Sequence, residues 1–311
     1  LGSFHQAVLV REVLDYLITD PKGTYVDATV GMGGHAEAVG RRLAGKGLLI
    51  CLDRDPDAVR VSTERLKPLG HRVKVLQANY ADLHDVLQTM GVEGINGILL
   101  DLGMSSYQLE HSGRGFSFDR DEPLDMRMNP SEGMTAAELV NEAAPGDLER
   151  VLREFGEEKR ARQIVRAIVR ARERDRIETA RQLAGLVRSA LPPTRGPEAR
   201  HPATRTFQAL RIAVNQELEN LHRFLKRLPT LMKKGGRLIV LSYHSLEDRM
   251  VKQAMTEWEE RCTCPPDLPV CGCGKTQLFS RPFRRPKRPG AKEIEKNRRA
   301  RSAKLRVAER I

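Results

Sequence analysis

Gly31-Met-Gly33-Gly34-His35-Ala36 joins a strand-like run, Thr24 to Thr29, to a helix-like run, His35 to Leu43, and Asp53 stands twenty residues past Gly33 at the end of a second apolar run, Leu48 to Asp53. Glycines at such a junction let the backbone approach a ligand, and a helix N-terminus offers free N–H groups. A carboxylate at the end of the next strand accepts hydrogen bonds from both hydroxyls of a ribose. Together they suit the adenosine of either a nicotinamide dinucleotide or S-adenosylmethionine. Two details favour the second. Asp27 lies inside the first strand, four residues before Gly31, where a pyrophosphate needs no acid, and Asn79-Tyr80 follows a third strand, Val73 to Gln77, where an amide and an aromatic face would hold adenine.

Asp101-Leu-Gly-Met-Ser-Ser106 follows a fourth apolar run, Gly97 to Asp101, at the edge where open α/β sheets bind ligands. A carboxylate there has a use. The lone pair of an exocyclic base amine is delocalised into the ring, so methylating it calls for an acceptor that holds an N–H while the nitrogen becomes tetrahedral. The (Asp/Asn)-Pro-Pro-aromatic pattern of many amino methyltransferases is replaced here by Asp-Leu-Gly-Met, with no aromatic directly after it. Asp101 is read as the catalytic acceptor, the alternative being a cofactor contact. His244 and either Ser242 or Ser105 are expected to shape the base pocket. Ser245 with Asp248 fits a helix cap.

These residues sit on alternating strand-like and helix-like runs, which predict an α/β fold, a Rossmann-like doubly wound and mostly parallel sheet. From Ser105 strand-like alternation stops, and Thr135 to Asn141, Pro145 to Phe155, Glu158 to Arg174 and Thr179 to Ala190 read as helices, followed by a break at Leu191 to Pro197 and a long helix from Thr204 to Met232. Gly236 to Ser242 returns as a buried strand. The expected domains are therefore 1–104 with 204–311, interrupted by an all-helical insertion at 105–203.

The chain has 311 residues and a net charge of +12, of which +11 falls in residues 275–311, leaving +1 for residues 1–274. That concentration reads as a basic C-terminal tail selected by an anionic polymer, or as a merely solubilising one. No apolar run is long enough for a membrane helix, and no signal peptide is visible, so the cytoplasm is the expected compartment. Cys262-Thr-Cys264 and Cys271-Gly-Cys273 offer four thiols, but the C-x-C spacing bites awkwardly around a tetrahedral ion; reduced thiols are preferred and no metal is expected. The oligomeric state is not legible. Two rival functions, a nicotinamide-dependent oxidoreductase and a non-catalytic ribosome-assembly factor, leave the Asp101 and Tyr243 segments without a purpose.

As a whole the pattern resembles the MraW family, bacterial small subunit rRNA methyltransferases of class I that act on N4 of a cytidine in 16S rRNA. The resemblance runs almost end to end, through His5-Gln-Ala-Val-Leu9, Asp27-Ala-Thr-Val-Gly-Met-Gly-Gly-His35, Asp101 to Leu109, Gly113-Arg-Gly-Phe-Ser-Phe118, Pro123-Leu-Asp-Met-Arg-Met128, His201 to Arg211 with Val214-Asn215 and Glu217, and Gly235 to Arg249. It implies S-adenosylmethionine as cofactor, contacted by Gly33, Gly34, His35, Asp53, Tyr80, Asp101 and Gln108. Tyr80 stands where many members have Phe, a change that an adenine-stacking role tolerates. The family also implies that the insertion recognises the substrate, and that this is 16S rRNA of the decoding region, within the small ribosomal subunit. Arg114, Arg127, Arg205 and Arg211 are candidates for phosphate contacts, or else for intramolecular ion pairs.

Overall fold

The computed structural model describes residues 7–192, 201–261, 264 and 275–311. It divides into two compact units, Leu1–Gly103 with Glu219–Ile311, and Met104–Leu218. In chain order the first unit opens with α1 (Val10–Leu17), β1 (Thr24–Asp27), α2 (Gly34–Arg42), β2 (Leu48–Asp53), α3 (Pro56–Leu66), β3 (Val73–Gln77), α4 (Leu83–Thr89) and β4 (Ile95–Asp101). The helical unit holds α5 (Ser106–Glu110), α6 (Ala136–Glu142), α7 (Pro145–Glu154), α8 (Ala161–Arg172), α9 (Ala180–Ala190) and α10 (Thr204–Asn215). The chain returns through α11 (Glu217–Leu231) to β5 (Met232–Ser242), α12 (Ser245–Trp258), β6 (Phe279–Ser280), α13 (Ala291–Lys296) and β7 (Lys304–Arg310).

The seven strands form one sheet in the order β3-β2-β1-β4-β5-β7-β6. The five strands from β3 to β5 run parallel, and β7 is antiparallel to both β5 and β6. Because side chains alternate between faces, each strand feeds two cores. Val26, Ile50, Ile98 and Val240 pack with residues of α4, α11 and α12. Tyr25, Leu49, Leu99 and Ile239 pack on the other face with α1, α2 and α3. Burial on both faces explains why β2 and β4 read as continuous apolar runs. The helical unit has a separate core built around Val140, Leu152, Ile164, Leu183 and Leu210. Its helices start where the sequence offers capping boxes: Thr135 with Glu138 before α6, and Thr179 with Gln182 before α9.

Three expectations are corrected. The second junction falls at Leu218/Glu219 rather than at 203/204, so α10 belongs to the helical unit, where Phe207 and Leu210 complete its core. The single helix expected from Thr204 to Met232 is two, because Gln216 takes a left-handed conformation, φ 50°, between α10 and α11. The basic segment is no tail: it ends in β7, with Leu305, Val307 and Ala308 fully buried and Lys304 and Arg306 both bonded to Asp248. Burying a Leu or Val contributes about 1.5–3 kcal/mol each, a large share of the ~5–15 kcal/mol stability of a typical domain. Deleting residues 304–311 is therefore expected to abolish cooperative unfolding in a circular-dichroism melt; a truncated protein with an unchanged Tm would contradict that placement. His5 and the Pro-rich stretch 193–197 lie outside the described residues. Among the described residues no helix is long and apolar enough to cross a membrane.

Candidate active site

Asp27, Asp53 and Asp101 are the last residues of β1, β2 and β4. Asp27 lies opposite Cys51 and Leu99 in the parallel register, so Asp53 and Asp101, two residues farther along, share its face of the sheet. Three carboxylates therefore meet at the carboxyl edge, on the side covered by α1 and α2.

The glycine turn closes over them. Gly31 and Gly33 have φ of 50° and 78°, left-handed values that residues with a Cβ rarely adopt. The Gly31 N–H donates to Asp53 Oδ2 at 2.9 Å and the Asp55 N–H to Asp53 Oδ1 at 2.9 Å, which fixes the carboxylate plane while leaving lone pairs on both oxygens. Arg65 braces the turn from outside, donating to the Met32 carbonyl at 3.0 Å and to Glu37 at 2.8 Å.

Asp101 is held from several sides. Its N–H donates to Thr29 Oγ1 at 2.7 Å, and the Tyr243 hydroxyl donates to its Oδ1 at 2.8 Å. His35 Nδ1 lies 3.6 Å from Oδ2, while Nε2 of the same ring donates to the Val8 carbonyl at 2.8 Å. Burial, then the Asp101 charge, push the Tyr243 hydroxyl well above its usual range, so it remains a proton donor at any physiological pH.

The cluster is short of positive charge. Burial pushes the Asp27 carboxyl up to about 7, the charges of Asp101 and Asp53 adding to the effect and His35 opposing it. Asp53 is pushed up to about 6 by burial, offset in part by its two backbone donors. A folded-state value above the unfolded one means that the native protein binds more protons between about 4 and 7, so these groups reduce stability as pH rises through that window. Holding Asp27 at about 7 instead of 3.8 costs about 4 kcal/mol once it is ionised. Asp27→Asn is thus expected to raise the Tm at pH 8 and to have little effect near pH 4; equal shifts at both values would refute the assignment.

Of the other residues singled out above, Gly33 caps α2 and Gly34 and His35 form its first turn. Tyr80 is half-buried and meets Phe224 edge-on, ring centroids 5.7 Å apart. Ser242 does not join Asp101: Leu241 is the register partner of Asp101, so Ser242 faces the opposite side of the sheet, 2% exposed. His244, rather than Ser245, caps α12, its Nδ1 accepting from the Glu247 N–H at 3.4 Å and its Nε2 lying 2.9 Å from Glu247 Oε1. Its ring turns to its own helix. Tyr243 and Thr29 are the contributors that sequence reasoning missed; for Tyr243 the available signal was its parity with Leu241 in β5.

Within the helical unit, Ser105 and Gln108 form the capping box of α5. Arg114 is buried and donates to the carbonyls of Arg127 and Met128. Arg127 makes a two-pronged ion pair with Asp125, and Arg211 another with Glu217 at 2.8 and 2.9 Å. These three are internal ties; Arg205 alone of the four is exposed. Cys262, Cys271 and Cys273 lie outside the described residues.

The MraW methylase family matches residues 2–311. The ribosomal RNA small subunit methyltransferase H of Symbiobacterium thermophilum is 46% identical over 311 residues, 100% of this chain and 98% of that protein. Its counterpart from Desulfosudis oleivorans is 47% identical, covering 99% and 100%. A crystal structure of an rRNA methylase from Streptococcus thermophilus is similar over 97% of this chain and 93% of that chain, at a TM-score of 0.43 and 11% identity. A match of this length, at this identity, joins a chain whose strand ends already gather three carboxylates under a glycine turn: it belongs to the MraW methylase family.

Proposed function

We propose that this chain methylates the exocyclic N4 amine of a cytidine in the decoding region of 16S rRNA, using S-adenosylmethionine, on the small ribosomal subunit in the cytoplasm. The observation that carries the cofactor is electrostatic. A nicotinamide dinucleotide would bring a doubly negative pyrophosphate to a turn that closes on Asp27, Asp53 and Asp101, two of them already pushed up to about 7 and 6. A sulfonium and an ammonium relieve that repulsion.

Asp53, with its oxygens fixed by Gly31 and Asp55, is the acceptor for both ribose hydroxyls, and Tyr80, three residues past the end of β3, offers an aromatic face to adenine. When bound, S-adenosylmethionine supplies an electrophilic methyl carbon. Asp101, its Oδ1 occupied by Tyr243, turns Oδ2 to an N–H of the amine and holds the nitrogen lone pair out of conjugation. The methylated nitrogen is acidic and sheds its proton to that carboxylate or to water, so no strong base is needed beforehand. Orientation and proximity contribute the larger part of the acceleration. The Met104–Leu218 unit supplies rRNA recognition in this reading.

The test is labelled methyl transfer to unmethylated 30S subunits and to naked 16S rRNA, with the digested nucleosides identified by mass. N4-methylcytidine is expected; label in another nucleoside would overturn the assignment of the acceptor.

A further inference from the structure

Arg162, Arg166 and Arg170 recur every fourth residue along α8, all three exposed, with no ion-pair partner among the described residues. α8 contains no acidic residue, and its fourth arginine, Arg172, is turned inward to the carbonyls of Val140 and Ala143. Four residues of helix rise about 6 Å. Three guanidinium groups are thus set along one face at a step comparable to the separation of successive phosphates in a nucleic-acid strand. Like charges at this spacing repel and lower helix stability, so the row is a cost to folding that no ion pair among the described residues offsets.

Beside the row runs an open groove of about 330 Å³ between α7 and α8. It is lined by Pro145, Gly146, Val165 and Val169, which are apolar or small, and by the three arginines. The acid in it, Glu149, is neutralised by Arg153 at 2.7 Å. A row of arginines beside apolar side chains fits a strand whose phosphates lie along the charges while a ribose or base edge rests on the apolar lining.

We propose that this face of α8 is a binding surface for the RNA phosphodiester backbone, engaging a strand of the rRNA through its phosphates. It rests on the rRNA methylation proposed above and deepens it by assigning a contact surface to the helical unit. It also replaces Arg114, Arg127 and Arg211, which are tied up internally.

The experiment compares the triple variant Arg162→Gln, Arg166→Gln, Arg170→Gln with a control of equal charge, Arg174→Gln, Arg181→Gln, Arg188→Gln, three exposed arginines outside the groove. Binding of a 16S rRNA fragment is followed by fluorescence anisotropy from 50 to 300 mM salt. Each phosphate contact on a single strand contributes about −0.7 to the slope of log K against log salt, so the α8 variant should lose about 2 from that slope while the control loses less than half as much. Its Tm should be unchanged or higher, and its affinity for S-adenosylmethionine should stay at the wild-type value. A slope and affinity equal to wild type, in a protein that still methylates rRNA, would overturn the surface and leave the methylation standing. Equal losses in both triples would overturn it too, in favour of diffuse charge. A wild-type protein that binds no small-subunit rRNA would overturn both.

Discussion

Asp53→Ala is expected to raise the Kd for S-adenosylmethionine roughly 10²–10⁴-fold and to lower methyl transfer at subsaturating cofactor by the same factor. Each hydrogen bond from a ribose hydroxyl to a charged acceptor contributes about 1.5–3 kcal/mol, and two are lost together. The substitution also removes the acceptor of the Gly31 and Asp55 N–H groups, releasing the glycine turn from β2. Asp53→Asn, which keeps one oxygen acceptor, should fall between the two. Isothermal calorimetry reads the Kd directly, and a thermal melt separates lost binding from lost folding. The sign of the stability effect is informative: because Asp53 is pushed up to about 6 in the folded protein, its ionised form reduces stability above that pH, so the variant should not melt markedly lower at pH 8. Wild-type affinity in the Ala variant would remove Asp53 from the site.

Asp101→Ala is expected to lower kcat by roughly 10²–10⁴-fold, the range of a positioned proton acceptor, while the Kd for S-adenosylmethionine changes less than about tenfold. That split separates the reacting carboxylate from the ribose acceptor. Tyr243→Phe deletes only the 2.8 Å bond that orients Asp101 and should cost about tenfold in kcat, with Kd and fold intact. Losing one such bond in the presence of Asp101→Ala should have no further effect, because Tyr243 acts through Asp101. Single-turnover rates with saturating rRNA measure both variants. An Asp101→Ala enzyme with wild-type kcat would assign it to cofactor binding alone.

Much of this architecture is legible in the chain because it follows from local patterns. Apolar runs ending in Asp27, Asp53 and Asp101 mark buried parallel strands, and the glycines at 31 and 33 mark the turn that must be left-handed. Thr135 and Thr179, each three residues before Glu138 or Gln182, announce helix starts. What local pattern does not carry is pairing between distant segments. Tyr243 reaches Asp101 only because β5 lies beside β4 with Leu241 opposite Asp101, a register set across 139 intervening residues. From the sequence alone Ser242 reads as a neighbour of Asp101, but one residue of register places it on the other face. Arginine is ambiguous in a different way: sequence reports its charge and not its partner, and Arg211 finds Glu217 only because the chain turns at Gln216. The basic segment misleads by composition. Lys304-Leu-Arg-Val alternates as a strand should, but the density of charge around it masks the period.

A pocket with a surplus of carboxylates calls for a cationic cofactor to complete it. Calorimetric titration of the protein at pH 6.5 with S-adenosylmethionine, and separately with NAD, in two buffers of different ionisation enthalpy, tests it most directly. A cation beside Asp27 and Asp53, held near about 7 and 6, drives both toward the ionised form, so S-adenosylmethionine should bind with net proton release and NAD should not bind. Binding of NAD, or binding of S-adenosylmethionine with proton uptake, would contradict the account.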